Sequence, residues 1–131
     1  MPPDPKVLLD NIIEASENIQ RVTLSMDLGT FSEDFDTRAA VERWFITIGE
    51  ALRRLRDHHS DLAIKIPDIT NIIDFRNFLI HNYDDLEVTI IWSSITDDLP
   101  ELYQTVCDLQ AKLDHSQGPR EVPPPPAGPR M

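Results

Sequence analysis

Apolar residues recur at three- and four-residue intervals along most of the chain, a spacing that predicts helices rather than strands. The first run carries Leu8, Leu9, Ile12, Ile13, Ala15, Ile19 and Val22, while Asp10, Asn11, Glu14, Glu17 and Gln20 fall on the opposite side. Pro2, Pro3 and Pro5 suit a first turn, where their missing N–H donors would be unpaired anyway, so a helix is expected from near Asp4 to about Met26. Between Asp27 and Asp36, Gly29 sits among small and acidic residues; this reads as a loop with at most a short turn, pinned to the core by Phe31 and Phe35. Asp36 or Thr37 can cap a second helix, whose stripe is Ala40, Val41, Trp44, Phe45, Ile48, Leu52 and Leu55. Arg53, Arg54 and Arg56 lie in its later turns, near the negative end of the helix dipole.

Pro67 can occupy the first turn of a third helix, with Ile69, Ile72, Ile73, Leu79 and Ile80 on its apolar side. The β-branched richness of IKIPDITNII argues locally for strand, but the three-and-four spacing favours helix. Asp84 and Asp85 break the pattern after Asn82. A fourth helix begins near Glu87 with Ile90, Ile91, Ile95, Leu99, Leu102, Val106, Leu109 and Leu113, and Pro100 inside it predicts a kink or break around Asp97 to Leu99. From Gln117 the proline-rich stretch GPREVPPPPAGPRM cannot be helical and has little to bury, so residues 117–131 are expected to form a flexible or polyproline-like tail. The expectation is an all-α, antiparallel bundle of four to five helices within residues 1–116.

Composition narrows the function classes. With 131 residues, 40% of them hydrophobic, the chain suits one compact domain. No apolar run approaches the roughly 20 residues that span a bilayer, and MPPDPK lacks the apolar stretch of a signal peptide, so the cytoplasm is the expected compartment. Cys107 is the only cysteine, which excludes an intrachain disulfide and a cysteine-rich zinc site and suggests a core filler. His58, His59, His81 and His115 show no paired spacing with cysteine, and there is neither a glycine-rich phosphate loop nor a serine nucleophile elbow, so no metal and no cofactor are expected. Twelve basic residues against 23 acidic ones give a net charge of −11. That balance repels nucleic acid at long range, and any nucleic-acid function needs a local basic pocket.

Arg76 falls in the middle of the third helix's apolar stripe. A guanidinium buried without partners costs several kcal/mol, so it must reach a carboxylate, a phosphate, a second subunit or the edge of the core. Asp74 is too close in sequence to face it, and Glu50 of the second helix is a reasonable partner. An arginine snorkelling across an apolar interface is an equally good reading of the pattern alone. His81 follows five residues later and would point about 140° away on an ideal helix. Either the helix ends near His81 and turns the imidazole back, or the two residues act in a cleft between two copies of the chain. A hydrogen-bonded structural histidine is the plainer alternative.

The segment RNFLIHNY, with Arg76, Asn77, His81 and Tyr83, resembles the R-x4-H-x-Y signature of HepT-like proteins within the HEPN superfamily. ITIGEALRRL at residues 46–55 is similar to the family's IGEA segment, and Trp92 and the run Leu99, Pro100, Glu101, Leu102 also look like family features. The resemblance implies a helical homodimer whose R-x4-H-x-Y segments face a shared cleft, and metal-independent cleavage of an RNA substrate. His81 would move protons, Arg76 would stabilise phosphate charge, and Asn77 would bind substrate or orient the histidine. It further implies the toxin component of a toxin–antitoxin system, paired with a minimal nucleotidyltransferase antitoxin that transfers AMP to Tyr83. The other reading of Tyr83 is a cap on the bundle end, its ring buried and its hydroxyl wet. The alternative for the whole chain is a catalytically weak dimeric module that binds the nucleotidyltransferase or a nucleotide.

Overall fold

The computed structural model describes residues 3–81 and 88–116, and every regular element among them is helical. Helix α1 spans Pro5–Thr23; Asp4 caps it by accepting the Lys6 N–H at 2.8 Å, and Pro5 occupies the first position. It buries Leu8, Leu9, Ile12, Ala15 and Ile19 against α3 (Phe35–His58) and α7 (Leu99–Ser116). Buried Thr23 satisfies its hydroxyl on the Ile19 carbonyl at 2.7 Å.

The stretch expected to be a loop contains α2, Leu28–Glu33, a correction with a local cause. Asp27 and Thr30 exchange side-chain and backbone hydrogen bonds in a reciprocal capping box, enough to close a short helix. Phe31 is fully buried against Trp92, as expected, whereas Phe35 is 69% exposed and carries only the Arg38 guanidinium over its ring. Asp34, rather than Asp36 or Thr37, caps α3, because its carboxylate accepts the Thr37 N–H at 3.0 Å.

A one-turn helix, α4 (Ser60–Ala63), follows α3. The chain then turns at Asp68, whose φ of 59° lies in the left-handed region, and enters α5 (Ile69–His81). Pro67 therefore precedes this helix instead of sitting in its first turn. The IKIPDITNII segment is helical from Ile69 onward, as its spacing predicts. Helix α5 packs on α3, burying Ile73 and partly burying Ile69, Ile72, Phe75 and Leu79. Ile80 is 44% exposed, so the buried stripe stops short of it.

Pro100 does not break the last helix. Helix α6 (Val88–Ser93) runs through a π-helical turn, Ser94–Asp98, directly into α7, with the Leu99 N–H reaching back five residues to the Ser94 carbonyl. Proline cannot donate to Thr96, and its ring would clash with that carbonyl; one extra residue in the turn absorbs both conflicts. Ile91, Ile95, Leu99, Leu102, Val106 and Leu109 consequently all remain buried. Tyr103 ties α7 to α1 by donating to Glu17 at 2.7 Å, and that bond holds its phenol up at about 12. Cys107 is half-buried at the rim of the core rather than inside it. No helix among the described residues is long and apolar enough to cross a membrane. The proline-rich tail, and the acidic pair after Asn82, lie outside the described residues.

Candidate active site

The site begins with a glycine. A Cβ placed on Gly49 of α3 would lie 2.1 Å from the Cβ of Arg76 and 2.5 Å from its Cγ. Only a residue without a side chain lets α5 approach α3 this closely, and the stem of Arg76 lies in the space so created. The next residue of α3, Glu50, receives the head: Arg76 Nη2 donates to Glu50 Oε1 at 2.6 Å. Arg76 Nη1 donates to Asn77 Oδ1 at 2.5 Å, and its buried Nε has no acceptor among the described residues. The arginine is thus 19% exposed and held at both ends of its fork, the partner expected from its place in an apolar stripe.

Arg53, one turn along α3, donates to Glu50 Oε2 at 2.8 Å and also pairs with Asp57. That Arg53 bond, with the charges of Arg53, Arg76 and Arg54, holds the Glu50 carboxyl below its ordinary range despite partial burial. Glu50 therefore stays ionised at neutral pH and keeps its grip on Arg76. The Glu50 side chain is 38% exposed, so the pair contributes well under the roughly 3–5 kcal/mol lost on breaking a fully buried one. Each fully buried leucine or isoleucine contributes about 1.5–3 kcal/mol, so packing stabilises the bundle and the ion pair aims one side chain.

His81 is exposed, and α5 is helical through it. Within one chain, Arg76 and His81 therefore remain on different faces, about 140° apart. Asn77 stands between them: it bonds to Arg76 and lies four residues before His81, on the same ridge of α5. Asn82 and Tyr83 lie outside the described residues. Sequence reasoning missed the close helix approach at Gly49 and the Asn77 bond to Arg76. The first was signalled in ITIGEALRRL, where a glycine interrupts a good helix-forming run immediately before the acidic partner.

A separate cavity of about 140 Å³ opens between α3, α5, the π-helical turn and the start of α7, lined by Phe45, Ile72 and Phe75 among others. Its rim carries Asp68, Asp98 and Glu101 and no basic residue. Burial, then the charges of Asp97 and Asp68, push the Asp98 carboxyl up. Such a mouth repels a polyanion.

Comparison with known proteins gives the family. A family model described as Ribonuclease HepT-like matches residues 12–109, from the first helix to the last. The chain belongs to the HepT-like ribonuclease family. It is 32% identical over 97 residues to the probable ribonuclease HepT of Thermococcus cleftensis, covering 74% of this chain and 87% of that protein. It is 29% identical over 105 residues to a protein of Methanocaldococcus jannaschii named as a candidate RNase, covering 79% of this chain and 94% of the relative. A similarly named protein of Caldanaerobacter subterraneus is 31% identical over 113 residues, covering 82% and 96%. No solved structure matches significantly.

In this HepT-like chain the Gly49 contact sets a measurable requirement. Alanine is the better helix former by about 1 kcal/mol, but a methyl group 2.1 Å from Arg76 Cβ must push α5 away from α3. Overpacking of this kind costs about 1–3 kcal/mol, so the clash wins. Gly49→Ala is expected to lower the Tm by a few degrees, at roughly 4 °C per kcal/mol for a domain between the small and mid-sized ranges, and to reduce activity with it. An unchanged or higher Tm in a thermal melt would show that the two helices separate freely there.

Proposed function

We propose that this ribonuclease is the toxin of a toxin–antitoxin pair, that its catalytic domain spans residues 1–116, and that it cuts RNA without metal in a homodimer cleft where Arg76 of one copy meets His81 of the other. The observation that carries this reading is the half-buried Arg76, aimed by Glu50 and Asn77, on a helix whose exposed side presents His81. Phe78 and Ile80, three residues and one residue before His81, are 46% and 44% exposed, apolar surface of the kind a second copy would cover.

In the reaction, the RNA 2′-hydroxyl oxygen bonds to the adjacent phosphorus and loses its proton. The bond from phosphorus to the 5′-oxygen breaks, and that oxygen takes up a proton. The products are a 2′,3′-cyclic phosphate and a 5′-hydroxyl. Histidine as a residue type exchanges protons near neutral pH, which suits His81 to one or both transfers. Of the five N–H donors of the Arg76 guanidinium, Asn77 and Glu50 occupy two, and the second hydrogens of Nη1 and Nη2 can meet the developing charge on the phosphorane oxygens. Silencing by a nucleotidyltransferase antitoxin follows the same logic: the Tyr83 phenol oxygen attacks the α-phosphorus of ATP, losing its proton and releasing pyrophosphate. The negative charge of the AMP gained would then compete with RNA for the donors of the site.

Purified protein in EDTA is expected to cut RNA to fragments ending in 2′,3′-cyclic phosphate. Mixing two inactive variants, His81→Ala and Arg76→Ala, is expected to restore part of the activity, since one cleft of each mixed dimer then holds both wild-type residues. Absence of cleavage in EDTA removes the metal-independent reaction. Cleavage by wild type without restoration on mixing places both residues in one chain and removes the shared cleft.

A further inference from the structure

A chain with a net charge of −11 needs a local concentration of positive charge before it can hold RNA, and α3 provides one. Arg43, Thr47, Glu50 and Arg54 form a single ridge of this helix, and with Asn11 of α1 they line a groove of about 210 Å³. Arg43 and Arg54 are both exposed, and neither is in an ion pair among the described residues. Arg38, Arg53, Arg56 and Arg76, by contrast, are each engaged by a carboxylate or a carbonyl. Arg54 lowers the Glu50 carboxyl through its charge without bonding to it, so it stands close to the site and keeps all its donors.

Eleven residues of helix place Arg43 and Arg54 about 20° apart around α3 and roughly 16 Å apart along it, with Glu50, the residue that holds Arg76, between them. Along residues 42–57 of α3, together with Arg76, five arginines (Arg43, Arg53, Arg54, Arg56 and Arg76) outnumber three carboxylates (Glu42, Glu50 and Asp57). We infer that the groove between α1 and α3 is the track of the substrate strand, in which Arg43 and Arg54 bind backbone phosphates on the two sides of the scissile one. The ligand is the sugar–phosphate backbone of single-stranded RNA, held by charge and by guanidinium forks, while Asn11 and Thr47 offer hydrogen bonds to ribose or phosphate. The inference rests on the ribonuclease reading above and adds substrate-binding residues that lie outside the R-x4-H-x-Y segment.

The test uses the full chain with Arg43→Gln, Arg54→Gln and the double substitution, and Lys112→Gln on the exposed side of α7 as control. Because neither arginine is in an ion pair among the described residues, all four variants are expected to melt close to the wild type. Cleavage of a fluorescent single-stranded RNA should show KM raised about five- to tenfold by each groove substitution, with kcat little changed and the control unaffected. In a His81→Ala background, where RNA is bound and not cut, each groove substitution should reduce the slope of log affinity against log salt by about 0.7. If wild type cuts the RNA and the double variant keeps both its KM and its salt slope, the track is wrong and the ribonuclease reading stands. If wild type neither cuts nor binds RNA, the ribonuclease reading falls and the track falls with it. If the double variant binds RNA normally but no longer binds a partner protein, the groove is a protein-docking face and the inference is overturned.

Discussion

Replacing His81 with alanine is expected to lower RNA cleavage by about 10²–10⁴-fold, the contribution of a positioned proton-transfer group. The bundle should be untouched, because the imidazole is exposed and, among the described residues, none of its atoms is needed for packing. The loss should appear in kcat, since histidine acts on the proton in flight and RNA binding is assigned to arginines elsewhere. Growth inhibition on expression in cells should disappear in parallel. A His81→Ala protein that cuts RNA at the wild-type rate would sink the assignment of this residue, and a general loss of helicity would instead reveal a structural role.

Arg76→Ala is expected to be comparably severe for activity and milder for stability. Removing one preorganised donor set at a developing oxyanion costs about 10²–10³ in kcat. The stability loss is limited because Glu50, once abandoned by Arg76, still receives Arg53 at 2.8 Å. Arg76→Lys is the sharper variant. It keeps the positive charge, but an ammonium cannot span Glu50 and Asn77 as the guanidinium fork does, so it should recover little of the lost kcat. Free guanidinium ion added to Arg76→Ala should restore some activity by occupying the same polar cradle. Full kcat in Arg76→Lys would mean that only a diffuse charge is needed there and that the geometry of the fork is incidental.

The helices themselves were legible because each buries one stripe, and a stripe leaves a period in the sequence. Short helices such as α2 and α4 leave too little period to detect; α2 depends on the reciprocal bonds of Asp27 and Thr30 rather than on an apolar face. Phe35 shows the reverse error, an aromatic residue taken for a core anchor that lies in the open because the α2–α3 junction turns it outward. The Pro100 signal was real but incomplete: sequence marks where the α-helical hydrogen bonds must fail, and the structure shows that the failure takes the form of a π-helical turn at Ser94–Asp98.

By itself, then, the sequence determined the helical class, the main stripes and the demand that Arg76 find a partner, all of which follow from local spacing and residue chemistry, while the family is read from the resemblance of its motifs. Tertiary structure decided the rest. That Glu50 meets that demand depends on how closely two helices approach at Gly49, and a distance between elements leaves no periodic mark. That Asn77 shares the arginine depends on rotamers set by the same contact. The local excess of positive charge around Arg43 and Arg54 is likewise invisible in a net charge of −11, because a sum over the chain discards the positions that only folding brings together.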